Sequence, residues 1–530
     1  MSEHQFLQEL EKKLWTSANK LLPSLDAAVY KHVVLGMVFL KYVSDSFETR
    51  RQELLLAFKD STNDYFLGED ADEAFINEQL ETRDFYTEKN VFWIPQAARW
   101  DYVQNHIRLS LGSPLPLGGE FKGAGKLLDD TMELIEKENP KLKRILNKNY
   151  ATLQIEQSKL ADLLDLIATI PFTHNSLKAK DILGHVYEYF LGEFASAEGK
   201  KGGQFYTPKS IVNLMVEMIE PYKGRVYDPA MGSGGFFISS EKFIEEHSGA
   251  INDLSIFGQE SNPTTWRLAA MNMAIRGLDF DFGKEPANTF TNDQHPDLKA
   301  DFILANPPFN QDEWWDASLE GDARWKYGTP AKGNGNYAWI QHFIHHLAPN
   351  GTAGFVLAKG SLTSNTNGEG DIRKAIIEAN LVDCIVNLPA KLFLNTQIPA
   401  SIWFVKRNRE RSNILFIDAR NTGHLISRKT KEFSKEDIDQ IASTYHNWKQ
   451  NKDYEDIKGF CKSVTCKEVA ELNYVLTPGR YVGLEDTEDE FDFKERFESL
   501  HVKLQEQMAQ EQSLNERILA NLAKIKVDDE

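Results

Sequence analysis

The segment Asn306-Pro307-Pro308-Phe309 directly follows the apolar run Asp301-Phe302-Ile303-Leu304-Ala305, and its residue types suit chemistry at an amino nitrogen conjugated to a ring. The exocyclic nitrogen of adenine or cytosine has its lone pair delocalised, so it attacks a methyl donor only when acceptors hold its hydrogens and it can pyramidalise. Asn306 offers a side-chain carbonyl as one acceptor, and the peptide carbonyl of Pro307 offers another. Two consecutive prolines fix φ and stiffen the turn, which keeps both acceptors aimed. Phe309 adds a flat face for a base taken out of its helix. Pro-Pro after a strand is also an ordinary terminator, so the reading depends on its surroundings.

A second group of residues suits a charged cofactor that carries a ribose. Asp228-Pro229-Ala230-Met231-Gly232-Ser233-Gly234-Gly235-Phe236 lies between an apolar run and a helical pattern. Its glycines let the backbone pass close to a bound molecule, and Asp228 offers a carboxylate to an ammonium group. Glu260, closing Gly258-Gln259-Glu260, can accept two ribose hydroxyls; the alternative is a helix-dipole or solvated-surface role. Asp293 in Thr291-Asn292-Asp293 can accept from an adenine amino group or serve as a turn residue. Upstream, Gly202-Gly203-Gln204-Phe205-Tyr206-Thr207-Pro208 is a glycine pair feeding a Thr-Pro turn, which could equally be a generic helix start. These groups fall at successive ends of apolar runs, where open α/β sheets place their ligands.

The elements that must position them come in three blocks. Residues 1–170 carry amphipathic helical spacing over 6–22, 29–47 and 127–146 with little strand-like alternation. Over 171–482, short apolar runs around Val226, Ile256, Ile303, Val356, Ile385, Trp403 and Phe416 alternate with helical patterns over 266–275 and 337–347, which predicts a mostly parallel sheet with helices on both faces. Pro478-Gly479 and the acidic run 485–490 mark a boundary, and 493–525 read as one long helix in the tail 483–530. A length of 530 residues suits about three domains. The stretch Val33 to Leu40 is far too short for a membrane span, and the polar start shows no signal peptide. Cys384, Cys461 and Cys466 form no disulfide framework, which points to a reducing compartment, and Cys461 and Cys466 lack zinc spacing. Gly118-Gly119 to Gly125-Lys126 fails as a phosphate loop, because Lys126 is followed by Leu127.

Gln204-Phe205-Tyr206-Thr207-Pro208, the segment from Asp228 to Phe236 and Asn306-Pro307-Pro308-Phe309 resemble motifs X, I and IV of S-adenosylmethionine-dependent amino-methyltransferases. Together with Tyr337-Ala338-Trp339-Ile340-Gln341-His342 and Leu388-Pro389-Ala390-Lys391-Leu392-Phe393, the set resembles the methylation (HsdM) subunit of type I restriction-modification systems. The resemblance implies a Rossmann-like α/β methyltransferase domain, a helical N-terminal domain and a C-terminal coiled-coil helix. The motif order is similar to the γ class, which implies adenine N6 as the target. It places Gln204, Phe205, Tyr206, Thr207, Pro208, Asp228, Ala230, Gly232, Ser233, Gly234 and Gly235 around S-adenosylmethionine, with Thr207 and Asp228 at its methionine end, Glu260 at its ribose and Asp293 at its adenine. Asn306, Pro307, Pro308 and Phe309 would hold the base. Metal is not expected.

Many amino-methyltransferases carry Asp where this chain has Asn306. A neutral amide cannot take the proton, so activation would come from hydrogen bonding and alignment. No Pro-Cys nucleophile is present for C5-cytosine methylation. N4-cytosine methylation, protein-glutamine methylation and an idle cofactor-binding scaffold remain as alternatives.

A net charge of −19 is awkward for a DNA enzyme. DNA would be touched through local basic patches, with a partner subunit supplying most of the attraction and the sequence readout. Between residues 311 and 336, Trp314, Trp315, Arg324, Trp325, Lys326, Tyr327 and Lys332 are interleaved with glycines, which suits either contact with an extruded nucleotide or a lid packing its tryptophans. Lys200-Lys201 suit phosphate contacts or a solvated turn. In the terminal helix, Phe493, Phe497, Leu500, Leu504, Gln507, Glu511, Leu514, Ile518, Asn521 and Ile525 follow 4-3 spacing, a coiled-coil seam for a specificity (S) subunit or a helix folded back on its own domain. The resemblance further implies a restriction (R) subunit, two methylation subunits per S subunit and a cytoplasmic setting.

Overall fold

The computed structural model describes residues 27–153, 155–170, 207–247, 253–393, 398–427, 430–483 and 493–522, with isolated residues before 27 and between 182 and 189. The chain divides into two compact units, residues 1–482 and 483–530.

Each predicted apolar run of the middle block forms a strand. β1 (Gly224–Asp228), β2 (Leu254–Gly258), β3 (Phe280–Asp281), β4 (Ala300–Ala305), β5 (Leu347–Ala358), β6 (Val382–Asn387), β7 (Ala400–Lys406) and β8 (Ile414–Asp418) are followed by a small hairpin, β9 (His424–Leu425) and β10 (Lys431–Glu432), and by β11 (Cys461–Val464). The main sheet has the order β11-β8-β6-β7-β5-β4-β1-β2-β3. Neighbours from β3 to β5 are parallel, as are β6 and β8, whereas β7 runs antiparallel between β5 and β6, and β11 is antiparallel to β8. β6 and β8 are buried along their whole length, as expected for strands covered on both faces.

Alternation along the strands feeds two separate cores. Val226, Leu304, Val356, Ile402 and Leu415 enter one, beneath the helices Lys209–Ile219, Gly235–Glu246 and Lys435–Gln450. Tyr227, Ile303, Phe355, Trp403 and Phe416 enter the other, with the helices Asn336–His346 and Glu369–Glu378. The result is a three-layer α/β domain.

The N-terminal helices join the first core. Ala27–Ala57 buries Val33, Val34, Leu35, Met37, Val38, Phe39 and Leu40 on several sides, as a helix enclosed by protein must. Tyr42 Oη donates to the carbonyl of Ile275 at 3.1 Å, tying this helix to Pro263–Arg276. The latter is well delimited: Asn262 caps Thr264 and Thr265, Pro263 opens the first turn, and Gly277 closes it in the left-handed conformation. Gly125, in the stretch that fails as a phosphate loop, is a packing position, since a Cβ there would stand 2.6 Å from the carbonyl of Tyr150.

Candidate active site

The strand order reverses between β1 and β4, so a crevice opens at their carboxyl ends. Register puts Asp228 beside Gly258 and Tyr227 beside Ile303. Asp228 therefore leaves the edge on one side of the crevice, Glu260 follows two residues past Gly258, and Asn306 emerges from β4 on the other. The cleft encloses about 730 Å³ with its open mouth counted. Thr207, Asp228, Ala230, Ser233, Gly235 and Asn306, all expected site residues, line it.

Backbone and carboxylate bonds hold the glycine loop in shape. Asp228 accepts from the N–H of Ala230 at 2.9 Å, the N–H of Met231 donates to Gln259 O at 3.1 Å, and the N–H of Gly232 donates to Glu260 at 3.2 Å. Gly232 and Gly234 sit at φ +54° and +82°, which favours glycine, and Gly234 caps the helix Gly235–Glu246. Glu260 accepts from Asn262 N–H at 2.8 Å as well, so it staples the loop to the end of β2.

Both acids are buried, Asp228 to 1 % and Glu260 to 9 % relative exposure. Burial pushes the Asp228 carboxyl well above its ordinary range, the Ala230 N–H opposes this, and the charge of Glu260 adds to it. Burial likewise raises Glu260 against the N–H groups that face it. Two buried carboxylates this close call for positive charge. A cofactor with an ammonium and a sulfonium fits that electrostatic demand, and the adjoining helix N-terminus fits its carboxylate. Asn272, which the motifs do not single out, also lines the cleft, with Nδ2 donating to Ser233 O at 3.1 Å. A polar residue inside the apolar run Ala269-Ala270-Met271-Asn272-Met273-Ala274-Ile275 is the signal that could have found it.

The opposite wall is built around Asn306. Its Nδ2 donates to Thr207 Oγ1 at 2.9 Å, which fixes the amide, while its buried Oδ1 has no hydrogen-bond partner. Four buried side-chain polar atoms among the described residues lack partners, and of these only Asn306 Oδ1 belongs to a residue of the cleft wall. Pro307 is buried and Pro308 and Phe309 are half-buried. Beyond them, Asn310 N–H donates to Asn336 Oδ1 at 3.0 Å and Asn336 Nδ2 returns a bond to Asn310 Oδ1 at 2.8 Å, clamping the turn to the helix Asn336–His346. The ring of Phe309 meets Phe393 edge-on, with centroids 5.6 Å apart. Phe393 belongs to a motif that carried no assigned role; the structure places it at the aromatic wall.

Other expectations fare differently. Neither Glu260 nor Asp293, expected at the ribose and the adenine of the cofactor, is among the residues that line this cleft; Asp293 Oδ2 accepts from His346 Nε2 at 2.9 Å and Oδ1 from the N–H of His295 at 2.9 Å. Burial pushes the Asp293 carboxyl up, but the His346 bond and charge hold it below the ordinary range. The loop doubles back because Gln259 Nε2 donates to Ala287 O and Asn292 O, and the N–H of Ala287 donates to Glu260 O at 3.0 Å. Ala287 and Asn288 are thus the segment brought against the Glu260 end. Asp293, His342 and His346 have ligand atoms within 4.8 Å of one another, but the cation beside them is Arg324, whose Nη1 lies 3.3 Å from His342 Nδ1.

In the 311–336 loop, Trp314 and Trp325 are buried against Phe290, and Arg324 donates to Thr289 O and Phe290 O, so these three serve packing. Lys326 and Lys332 remain exposed. Cys461 is buried in β11 and the Cys466 thiol donates to Ser412 O. Lys200, Lys201, Gln204, Phe205 and Tyr206 lie outside the described residues.

With this geometry in view, the likeness to known proteins is specific. Residues 178–490 match the N-6 DNA Methylase family, and residues 10–170 match the HsdM N-terminal domain. The chain is 54 % identical over 440 residues to the type I restriction enzyme HindI methylase subunit of Haemophilus influenzae, covering 81 % of this chain and 99 % of that protein. It is 37 % identical to the MjaIX methylase subunit of Methanocaldococcus jannaschii, covering 96 % and 90 %. The crystal structure of a type I restriction-modification methyltransferase subunit from Streptococcus thermophilus superposes with a TM-score of 0.72 at 26 % identity, covering 90 % of this chain and 99 % of that one. From its α/β domain to its helical N-terminal region, the chain belongs to the methylase subunits of type I restriction enzymes, DNA adenine methyltransferases built on the N-6 DNA methylase domain.

Proposed function

We propose that this subunit moves the methyl group of S-adenosylmethionine to N6 of an adenine swung out of DNA, and that it does so on sites chosen by a separate specificity subunit. The observation that carries the reading is the unpartnered acceptor Asn306 Oδ1, buried at the wall of the cleft that also presents Asp228. Bound there, the cofactor supplies an electrophilic methyl group. Asp228 faces its ammonium, Glu260 its ribose hydroxyls, and Thr207 completes the wall beside Asn306. Asn306 Oδ1 and the Pro307 carbonyl take the hydrogens of the target nitrogen, so its lone pair turns from the ring toward the methyl group. Phe309 and Phe393 flank the base. Asn306 cannot hold a proton, so the surplus proton passes to solvent.

The partner reading is supported by the second unit. Its helix, Phe493–Leu522, leaves the seam residues Leu500, Leu504, Leu514 and Ile518 each more than half exposed at 58, 55, 54 and 51 %. An apolar 4-3 seam on a helix that forms a unit of its own suits a helical partner. The assembly so formed includes the restriction subunit and two copies of this chain per specificity subunit, and it works in the cytoplasm, where three free thiols persist. Among the described residues no helix is long and apolar enough to cross a membrane.

The test is transfer of tritiated methyl from S-adenosylmethionine to unmodified DNA, with and without the specificity subunit, followed by nucleoside digestion. Label in N6-methyl-2′-deoxyadenosine that depends on the partner is expected. Label in N4-methylcytosine, in protein or in neither would refute the proposal.

A further inference from the structure

The turn after β6 reaches two places at once. Phe393 meets Phe309 at the base site, and two residues earlier the carbonyl of Lys391 accepts the N–H of Lys431 at 2.9 Å. Lys431 opens β10, so the hairpin of β9 and β10 is fastened directly to the wall of that site. Lys391 makes this bond at φ +69°, in the left-handed region where a lysine is uncommon. Gly423 admits the hairpin: at φ +86°, a Cβ there would stand 2.9 Å from the carbonyl of Glu432.

β4, β5, β6 and β8 all run in one direction, so the chain leaves them at a single edge of the sheet. Asn306, Lys359, Lys391 and Arg420 issue from that edge in turn. Lys391 and Arg420 are exposed, and Lys359 and Lys431 are half-buried. The facing acids are Asp418, buried and paired with Arg420 at 2.6 Å, and Glu432. Among the described residues, these four cations stand against those two carboxylates, opposite in sign to the chain's net charge of −19. Leu425 and Ile426, at the far end of β9, are 58 and 57 % exposed.

Building on the reading of Asn306 and Phe309 as the base site, we propose that this edge grips the duplex. Lys359, Lys391, Arg420 and Lys431 take phosphates flanking the extruded nucleotide, and the Leu425-Ile426 tip enters the base stack where that nucleotide has left. Cations on phosphates set position without reading sequence, and apolar wedges between base steps are a recurring means of stabilising opened DNA. A protein partner fits this edge less well, since interface cores are depleted in lysine.

The experiment uses the complex assembled with its specificity subunit, on a duplex carrying 2-aminopurine at the target adenine. In K391E/K431E the slope of log affinity against log salt should shrink by about 1.8, at about 0.9 for each phosphate no longer neutralised, with cofactor affinity and subunit co-purification unchanged, and K391R/K431R should restore it. In L425S/I426S the rise in 2-aminopurine fluorescence on binding should fall several-fold. An unchanged slope together with unchanged fluorescence would overturn the proposal. So would dissociation of the specificity subunit from K391E/K431E, which would assign the edge to protein. A wild-type complex showing neither fluorescence rise nor methyl transfer would instead sink the base site beneath it.

Discussion

The two walls of the crevice are finished to different degrees. On the β1 and β2 side, Asp228, Glu260, Gln259 and the glycine loop are held together by hydrogen bonds, and what is left over is a pair of buried carboxyls whose charge burial disfavours. On the β4 side, the unsatisfied group is one neutral acceptor, Asn306 Oδ1. The contrast separates two tasks: a charged ligand is held by a field that tolerates small displacements, whereas a nitrogen lone pair is redirected only by an acceptor in one position. On the proposed reading, the first wall is the binding device and the second the chemical one.

That distinction is broken most severely at Asn306. Asn306→Ala should retain cofactor binding yet lose on the order of 10²–10³ in single-turnover methylation, the usual cost of one preorganised hydrogen-bonding group. Near-normal transfer would dissolve the distinction. Asp228→Ala should act the other way, weakening S-adenosylmethionine binding by roughly 1.5–3 kcal/mol, about 10- to 150-fold, as removal of a charge-assisted hydrogen bond does. Calorimetry that found the same affinity in the variant would remove Asp228 from the site.

A smaller effect should come from Thr207→Val, which leaves Asn306 Nδ2 without its acceptor. The amide is then free to turn, and the rate should fall by about fivefold, one hydrogen bond of about 1 kcal/mol, with the fold intact. A fall in thermal stability without a fall in rate would make Thr207 a packing residue. The smallest signal is in pH. Asp228 and Glu260 have carboxyls raised above ordinary values of 3.8 and 4.5. As pH rises past those values the unfolded chain ionises first, so the free protein loses stability until the raised folded values are passed. Positive charge from the cofactor counteracts this, so the rise in Tm that it confers should grow with pH, and Asp228→Asn should flatten the trend. A Tm increment independent of pH, checked by thermal denaturation, would argue against a charge-holding wall.

Much of the fold was legible because the middle strands are short apolar runs with turn residues between them, and a fully covered strand has no other way to be written. Seven such runs became seven strands of the sheet. The antiparallel insertion of β7 was not legible, since Ser401-Ile402-Trp403-Phe404-Val405 is apolar in either direction. Asp228, Thr207 and Asn306 could be placed because each follows a strand or opens a helix, where position along the chain dictates position in space. Asp293 lies in a loop whose path is set by Gln259, a tertiary bond with no trace in local sequence. The tryptophans of 311–336 left two readings open for the same reason: aromatic residues beside cations read alike whether they await a base or, like Trp314, fill a core.

The bond between Thr207 and Asn306 has one further consequence. On the proposed reading it joins a cofactor-side residue to the acceptor for the base, so the two ligands share a component. Whatever factor the cofactor lends to capture of the extruded nucleotide, the nucleotide must return to the cofactor, because equilibrium coupling is reciprocal. On the proposed reading, if the cofactor favours capture of the nucleotide, a complex on unmodified DNA binds its methyl donor more tightly by the same factor.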